Sequence, residues 1–112
     1  MFSKCTKLTK IDISNLVTSN VINMNGMFSR CTSLEKLDLS LFDTTNVIDM
    51  GNMFSECSKL QELKINNFNT SKVTNMNGIF KNCKKLKETN ITYNKENNYK
   101  LEEQINKINN SY

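Results

Sequence analysis

Histidine, proline and tryptophan are absent from this chain of 112 residues, and its four cysteines form no C-x-x-C pair. Without histidine, general acid or base catalysis would fall to Asp, Glu, Lys or Cys, and none of these recurs beside a nucleophile outside a regular pattern. Zinc ligands usually come in close pairs such as C-x-x-C, so a zinc site built from the four cysteines is disfavoured. The sequence therefore predicts no enzyme activity, no metal site and no cofactor.

Long apolar runs and a strong net charge are missing as well. No segment approaches the ~18 consecutive apolar residues of a membrane span, and no charged stretch precedes an apolar one as in a signal peptide. The formal net charge is only +4. Asparagine is the most frequent residue, and the simplest interpretation of this excess is the codon bias of an AT-rich genome.

The basic residues gather towards the C-terminus, in the segment "FKNCKKLK" at 80–87. Its lysines offer positive charge to an anionic ligand, and the simpler interpretation is an ordinary solvated face. Nucleic-acid binding is not expected, because no aromatic side chains are interleaved with the lysines and the net charge is small. The lysines concerned are Lys81, Lys84, Lys85 and Lys87.

An internal repeat is what the sequence does contain. Cysteine recurs every 26 residues, and Met, Phe, Leu and Val recur around it at the same spacing. The chain divides into units 1–26, 27–52 and 53–78 and a degenerate unit 79–104, which keeps only its first half. Self-similarity at this period is typical of architectures in which each unit buries its apolar face against its neighbours.

Each unit contains two hydrophobic periods. Its L-x-x-L-x-L segment, as in Leu34, Leu37 and Leu39, ends in two residues that point to one side of a strand. Further along, residues such as Val47 and Met50 recur every three or four positions, which is the spacing of one helix face. Glycine in this second half limits it to one or two short helical turns. Strands are expected near 10–13, 36–39, 62–65 and 88–91.

The two ends of the chain differ. Apolar residues spaced by four, three and four predict an amphipathic helix over 99–112 that caps the last unit. These residues are Leu101, Ile105, Ile108 and Tyr112. The N-terminus has no such cap, because Met1 already stands in the position of Met27. We therefore expect the C-terminal part of a longer repeat protein, able to self-associate through its uncapped first edge.

The alternation of strand, turn, helical segment and turn resembles a leucine-rich repeat, although Phe42 stands where that consensus has a buried Asn or Cys. More specifically, "MFSxCxxLxxLDLSxFDTxNVxxM" is similar to the repeat of BspA-like leucine-rich surface proteins, in the variant found in mycoplasma-type lipoproteins, and covers residues 1 to about 93. The expected fold is an α/β solenoid of leucine-rich-repeat type. It would have a short parallel β-sheet on one face, short helical turns on the other and a C-terminal capping helix. The resemblance also implies secretion or surface anchoring, and adhesion or binding to host proteins.

The cysteines stand on the apolar side of both hydrophobic patterns. This placement predicts a column of buried thiols at Cys5, Cys31, Cys57 and Cys83. A disulfide interpretation stays open, because stacked neighbours can approach the ~5.5 Å Cα separation of a bridge, and the resemblance implies an extracytoplasmic location. It would pair Cys5 with Cys31 and Cys57 with Cys83, or Cys31 with Cys57, and so break the symmetry of the repeat.

The candidate partner-binding surface is the outward side of the strands. Its residues alternate with the buried Leu and Ile pairs: Lys10, Asp12, Lys36, Asp38, Glu62, Lys64, Glu88 and Asn90. We expect a protein partner, either a host extracellular matrix protein or another surface protein, and a location at the cell surface or outside the cell. Two alternatives remain: structural spacer repeats without a ligand of their own, and, more distantly, an intracellular adaptor.

Overall fold

Short parallel strands form where a buried leucine or isoleucine alternates with polar residues. The structure, a computed structural model, describes residues 16–111, so the strand expected near 10–13 lies outside the described residues. The strands are β1 at Lys36–Asp38, β2 at Glu62–Ile65 and β3 at Ile91–Tyr93. They form one parallel sheet in the order β1-β2-β3, and the only α-helix among residues 16–111, α1, spans Tyr99–Ser111.

A second set of backbone hydrogen bonds joins the segments rich in Met and Phe. In each bond an amide donates to the carbonyl 25 residues later, as from Phe28 to Met53 at 2.9 Å and from Phe54 to Ile79 at 3.0 Å. The donors are Met24, Gly26, Phe28 and Arg30 in one segment and Met50, Asn52, Phe54 and Glu56 in the next. Alternate amides thus hold three successive segments side by side.

The helical turns predicted in these segments are wrong. The chain here makes successive turns, each closed by a hydrogen bond from an amide to the carbonyl three residues earlier, as from Met27 to Met24 at 3.2 Å. Gly26, Asn52 and Gly78 have φ angles of 65°, 54° and 70°. An α-helix needs φ near −63° at every residue, so a left-handed residue at this point of each segment prevents it. Hydrogen-bonded turns bring residues three or four apart to one side, which is why their pattern imitates a helix face.

The predicted leucine-rich-repeat-type solenoid is also wrong. The described residues form a small compact body of 33 × 29 × 20 Å, with a radius of gyration of 12.6 Å, and its regular elements are a three-stranded parallel sheet and one C-terminal helix. The helices that would cover the second face of a leucine-rich solenoid are missing from residues 16–98, and the strands are only three or four residues long.

Three phenylalanines run through the centre of the core. The ring centroids of Phe28 and Phe54 lie 5.9 Å apart with an interplanar angle of 2°, and those of Phe54 and Phe80 lie 5.7 Å apart at 6°. All three side chains are buried, and Phe42 packs beside Phe28 at 6.4 Å. Offset stacking of this kind adds about 0.5–1.5 kcal/mol per pair to the burial of the rings.

Buried threonines connect neighbouring segments through both atoms of a peptide group. The Thr44 hydroxyl donates to the Asn69 carbonyl at 3.0 Å and accepts from the Asn69 amide at 2.8 Å. Thr18 makes the same two bonds to Asp43, at 3.2 and 2.9 Å. Thr44 is fully buried. Each hydroxyl therefore supplies the hydrogen bonds that a backbone amide and carbonyl lose when they are removed from water.

Helix α1 is anchored by a buried asparagine at its start. The Asn98 side chain donates to the carbonyls of Phe68 and Asn94, both at 2.7 Å, and accepts from the Thr70 amide at 3.0 Å. The Asn98 carbonyl accepts the first helical bond, from Glu102. Leu101, Ile105 and Ile108 of the helix are buried, and Tyr112 lies outside the described residues.

We predict that Thr44→Val lowers the free energy of unfolding by about 1–3 kcal/mol, because the Asn69 amide and carbonyl lose their partner while the shape of the side chain is kept. Urea denaturation followed by circular dichroism measures the change. Thr92→Val is the control, since Thr92 is exposed on β3 and its replacement should cost less than ~0.5 kcal/mol. Equal losses in the two variants would contradict the role of the buried hydroxyl.

Candidate binding surface

The outward side of β1 and β2 carries charges that alternate in sign. Lys36 stands opposite Glu62 and Asp38 opposite Lys64, which is the predicted register. Lys36 Nζ lies 3.6 Å from Glu62 Oε2, and the two side chains remain 80% and 46% exposed. The leucines between the charged residues are buried. The sheet therefore presents a small, ordered set of charges to solvent.

Asp38 is held in its charged form by the turn that follows β1. The Ser40 hydroxyl and the Ser40 amide both donate to Asp38 Oδ1, the amide at 2.9 Å. These two hydrogen bonds lower the pKa of Asp38; burial opposes them, and the positive charge of Lys64 adds a smaller lowering. The two hydrogen bonds also fix the orientation of the carboxylate.

The predicted strand at 88–91 is displaced. Glu88–Asn90 forms a 3₁₀ turn, and β3 begins only at Ile91. Leu63 pairs with Ile91 and Lys64 with Thr92. Paired residues of β2 and β3 are therefore two positions farther apart in the sequence than paired residues of β1 and β2. The reason is that Thr89 occupies the apolar position of the repeat, and Ile91 becomes the next side chain able to enter the core. Glu88 therefore does not continue the charged row of Lys36 and Glu62.

Other predicted site residues fall on different parts of the molecule. Asn90 is exposed at the end of the 3₁₀ turn, directly before β3. Lys10, Asp12 and Cys5 lie outside the described residues. The charged surface consists of Lys36, Asp38, Glu62 and Lys64, which we call the sheet face.

The three described cysteines are fully buried, and no disulfide joins them to one another. The Cys57 thiol donates to the Phe28 carbonyl at 3.1 Å, and the Cys83 thiol to the Phe54 carbonyl at 2.9 Å. Burial raises the pKa of Cys83 to about 12. Burial also raises the pKa of Cys57, and the neighbouring Cys83 and Cys31 add to that rise. These thiols are neutral hydrogen-bond donors, and neither bridge among Cys31, Cys57 and Cys83 is formed.

Sequence reasoning missed a polar row made largely of asparagine. Asp49 Oδ1 accepts hydrogen bonds from the side chains of Asn25 and Asn75, at 3.2 and 3.0 Å, and from the Gly51 amide at 2.9 Å. A Cβ at Gly51 would come within 2.7 Å of the Asn75 amide nitrogen and 2.9 Å of the Asn25 amide nitrogen, so a larger residue would displace the side chains of this row. The signal was present in the sequence as Asn and Asp at the repeat spacing. These asparagines therefore have a structural role, so codon bias alone does not account for the excess of asparagine.

The family described as "Mycoplasma protein of unknown function, DUF285" matches residues 1–111. The chain belongs to this family. The match covers the repeat but does not identify the chain as a BspA-like leucine-rich repeat protein. No curated protein and no solved structure matches the chain.

Two further observations concern this DUF285 family member. In the part of the chain that the structure describes, no helix combines the length and hydrophobicity needed to cross a bilayer. Among residues 16–111, no three His, Cys, Asp or Glu side chains are grouped so that they would hold a metal ion.

We predict that the free energy of unfolding falls as the pH rises above 9. A thiol in the unfolded chain loses its proton near its ordinary pKa of 9.0, whereas Cys83 in the folded protein keeps it up to about 12. Between these values the unfolded state binds fewer protons, so stability decreases with pH, by at most ~1.4 kcal/mol per pH unit for this thiol. Urea denaturation at pH 8 and pH 10.5 measures the effect.

Cys83→Ala is the matched variant for this measurement. It is less stable at both pH values because of the lost packing, but its loss between pH 8 and 10.5 is smaller than that of the unaltered protein. Equal losses would mean that Cys83 is accessible to solvent and titrates normally in the folded state.

Proposed function

We propose that this protein is a binding module for another protein, exported to the cell surface or secreted, and that the sheet face is its contact surface. The similarity of its motif to BspA-like surface proteins supports the location and a role in adhesion or host-protein binding. The observation that carries the proposal is a set of exposed charges in a defined order on the outward side of the sheet. Pairing between the strands fixes the backbone that bears these charges.

Rigidity of this surface supports the proposal. The strands are paired with each other, and their inward leucines are buried against the aromatic core. The Asn67 side chain donates to the Ser40 carbonyl, so the turns that follow β1 and β2 are also connected. A surface ordered before binding avoids much of the entropy cost of association. Its charges can then be recognised in a defined arrangement.

The charge pattern favours selective electrostatic recognition. Lys36 and Glu62 form an exposed pair, which contributes only about 0–1 kcal/mol to stability. Little stability is therefore lost when the charges of a partner replace this ion pair as the contacts of Lys36 and Glu62. Complementary charges mainly determine which partner is accepted and how fast it associates. We infer a partner whose surface alternates in sign, with carboxylates facing Lys36 and Lys64.

The variant Lys36→Glu with Lys64→Glu tests this proposal. We predict that it weakens binding to the matching protein in a panel of immobilised host matrix proteins by tenfold or more, and flattens the salt dependence, because two attractive contacts become repulsive. Biolayer interferometry at several salt concentrations measures both quantities. Thermal unfolding of the variant checks that the fold is retained.

The control makes the same change in charge elsewhere: Lys72→Glu with Lys95→Glu, two exposed lysines outside the sheet face. It should bind like the unaltered protein. If both double variants lost affinity equally, net charge rather than the sheet face would govern binding. If no matrix protein bound the unaltered chain, the adhesive role would be wrong.

A further inference from the structure

Three equivalent turns carry a positive charge that grows along the molecule. In each turn a leucine amide donates to the carbonyl of the cysteine three residues earlier, at 3.2 or 3.3 Å. The turns run from Cys31 to Leu34, from Cys57 to Leu60 and from Cys83 to Leu86. Their central residues are Thr32 and Ser33, then Ser58 and Lys59, then Lys84 and Lys85. The central positions thus carry no lysine, one lysine and two lysines in succession.

The second and third turns lie next to each other. The Glu56 amide donates to the Lys81 carbonyl at 2.6 Å, and the Cys83 thiol donates to the Phe54 carbonyl at 2.9 Å. Lys59 and Lys85 therefore occupy equivalent positions in neighbouring turns. Both side chains are exposed.

Lys87 extends this group beyond the third turn. It is exposed, has an extended backbone conformation with φ −114° and ψ 147°, and directly precedes the 3₁₀ turn. We call Lys59, Lys84, Lys85 and Lys87 the lysine patch. None of its four side chains forms an ion pair with a described residue, in contrast to Lys36 with Glu62 and Arg30 with Glu56.

We propose that the lysine patch binds a sulfated polysaccharide. Four ammonium groups without ion pairs, carried by two adjacent turns and the residue after them, repel one another, and a flexible chain of sulfates relieves that repulsion by placing several anions along the patch. Lysine provides point charges without the planar fork of arginine, which suits sulfates that are not presented in one fixed orientation. This surface and this ligand class are separate from the sheet face and its protein partner.

The composition of the patch disfavours nucleic acid. Single-stranded nucleic acid is usually held by aromatic side chains on which bases stack, and the two turns and Lys87 include no aromatic residue. A sulfated polysaccharide needs neither stacking nor base recognition.

Heparin, a heavily sulfated polysaccharide, is the probe for the test. We expect the unaltered protein to be retained on immobilised heparin at low salt and eluted by NaCl. The variant with Lys84→Gln, Lys85→Gln and Lys87→Gln should bind heparin at least tenfold more weakly. Its plot of log affinity against log salt should be less steep by about 2–3, because each lost contact releases about one counterion fewer. Circular dichroism verifies that the variant is folded.

Two further variants sharpen the result. Lys72→Gln, Lys95→Gln and Lys100→Gln together remove the same charge from exposed lysines outside the patch, and this control should keep most of the heparin affinity. Ser58→Lys adds a charge between Lys59 and Lys84, at a partly exposed position of the second turn, and should strengthen binding about threefold or more.

The proposal is overturned if the two triple variants lose affinity equally, because binding would then follow net charge alone. It is also overturned if chemically desulfated heparin binds as tightly as heparin, or if duplex DNA binds at least as tightly at the same salt concentration. None of these three results would bear on the sheet face, because neither triple variant changes a residue of it.

Discussion

Hydrogen bonding between backbone segments that are 25 or 26 residues apart is the constraint on which this structure depends. Strands of three or four residues do not persist alone in water, and residues 16–98 contain no α-helix to supply local stability. The turns within a segment satisfy some of its amides, and the alternate amides between them find a carbonyl only because the next segment lies alongside. The stacked phenylalanines and the threonines bonded to neighbouring peptide groups follow from that arrangement, because equivalent residues are brought into contact by it.

Part of this arrangement could be predicted from the sequence. The positions of β1 and β2 followed from two leucines or isoleucines spaced by two, and the facing charges on the sheet face followed from the repeat. The start of β3 did not, because a repeat period says nothing about where two extra residues are accommodated. Apolar residues spaced three or four positions apart fitted both a helix and a series of turns. The positive φ angles of Gly26, Asn52 and Gly78 distinguish the turns from a helix. The chemistry of a partner leaves no such periodic trace.

Asparagine forms many of the turns for which glycine and proline are more usual. The chain has three glycines and no proline, yet its turns are frequent and tight. Asn and Asp bond to the amide two residues later, as Asn69 does with Ser71 and Asn75 with Asn77, both at 3.0 Å. Asn52, Asn82 and Asn97 adopt positive φ angles between 54° and 63°, a region that asparagine tolerates better than most residues. Side-chain amides and positive φ angles of asparagine therefore define many of the turns among the described residues.

The buried thiols of residues 16–111 hold the fold without redox chemistry. Cys57 and Cys83 satisfy the carbonyls of Phe28 and Phe54 as protonated donors, and they have no disulfide to lose in a reducing compartment. Oxidants and disulfide exchange act on the thiolate, a form that burial suppresses here, so an oxidising compartment does not change them either. These buried thiols therefore place no redox requirement on the compartment in which the chain folds.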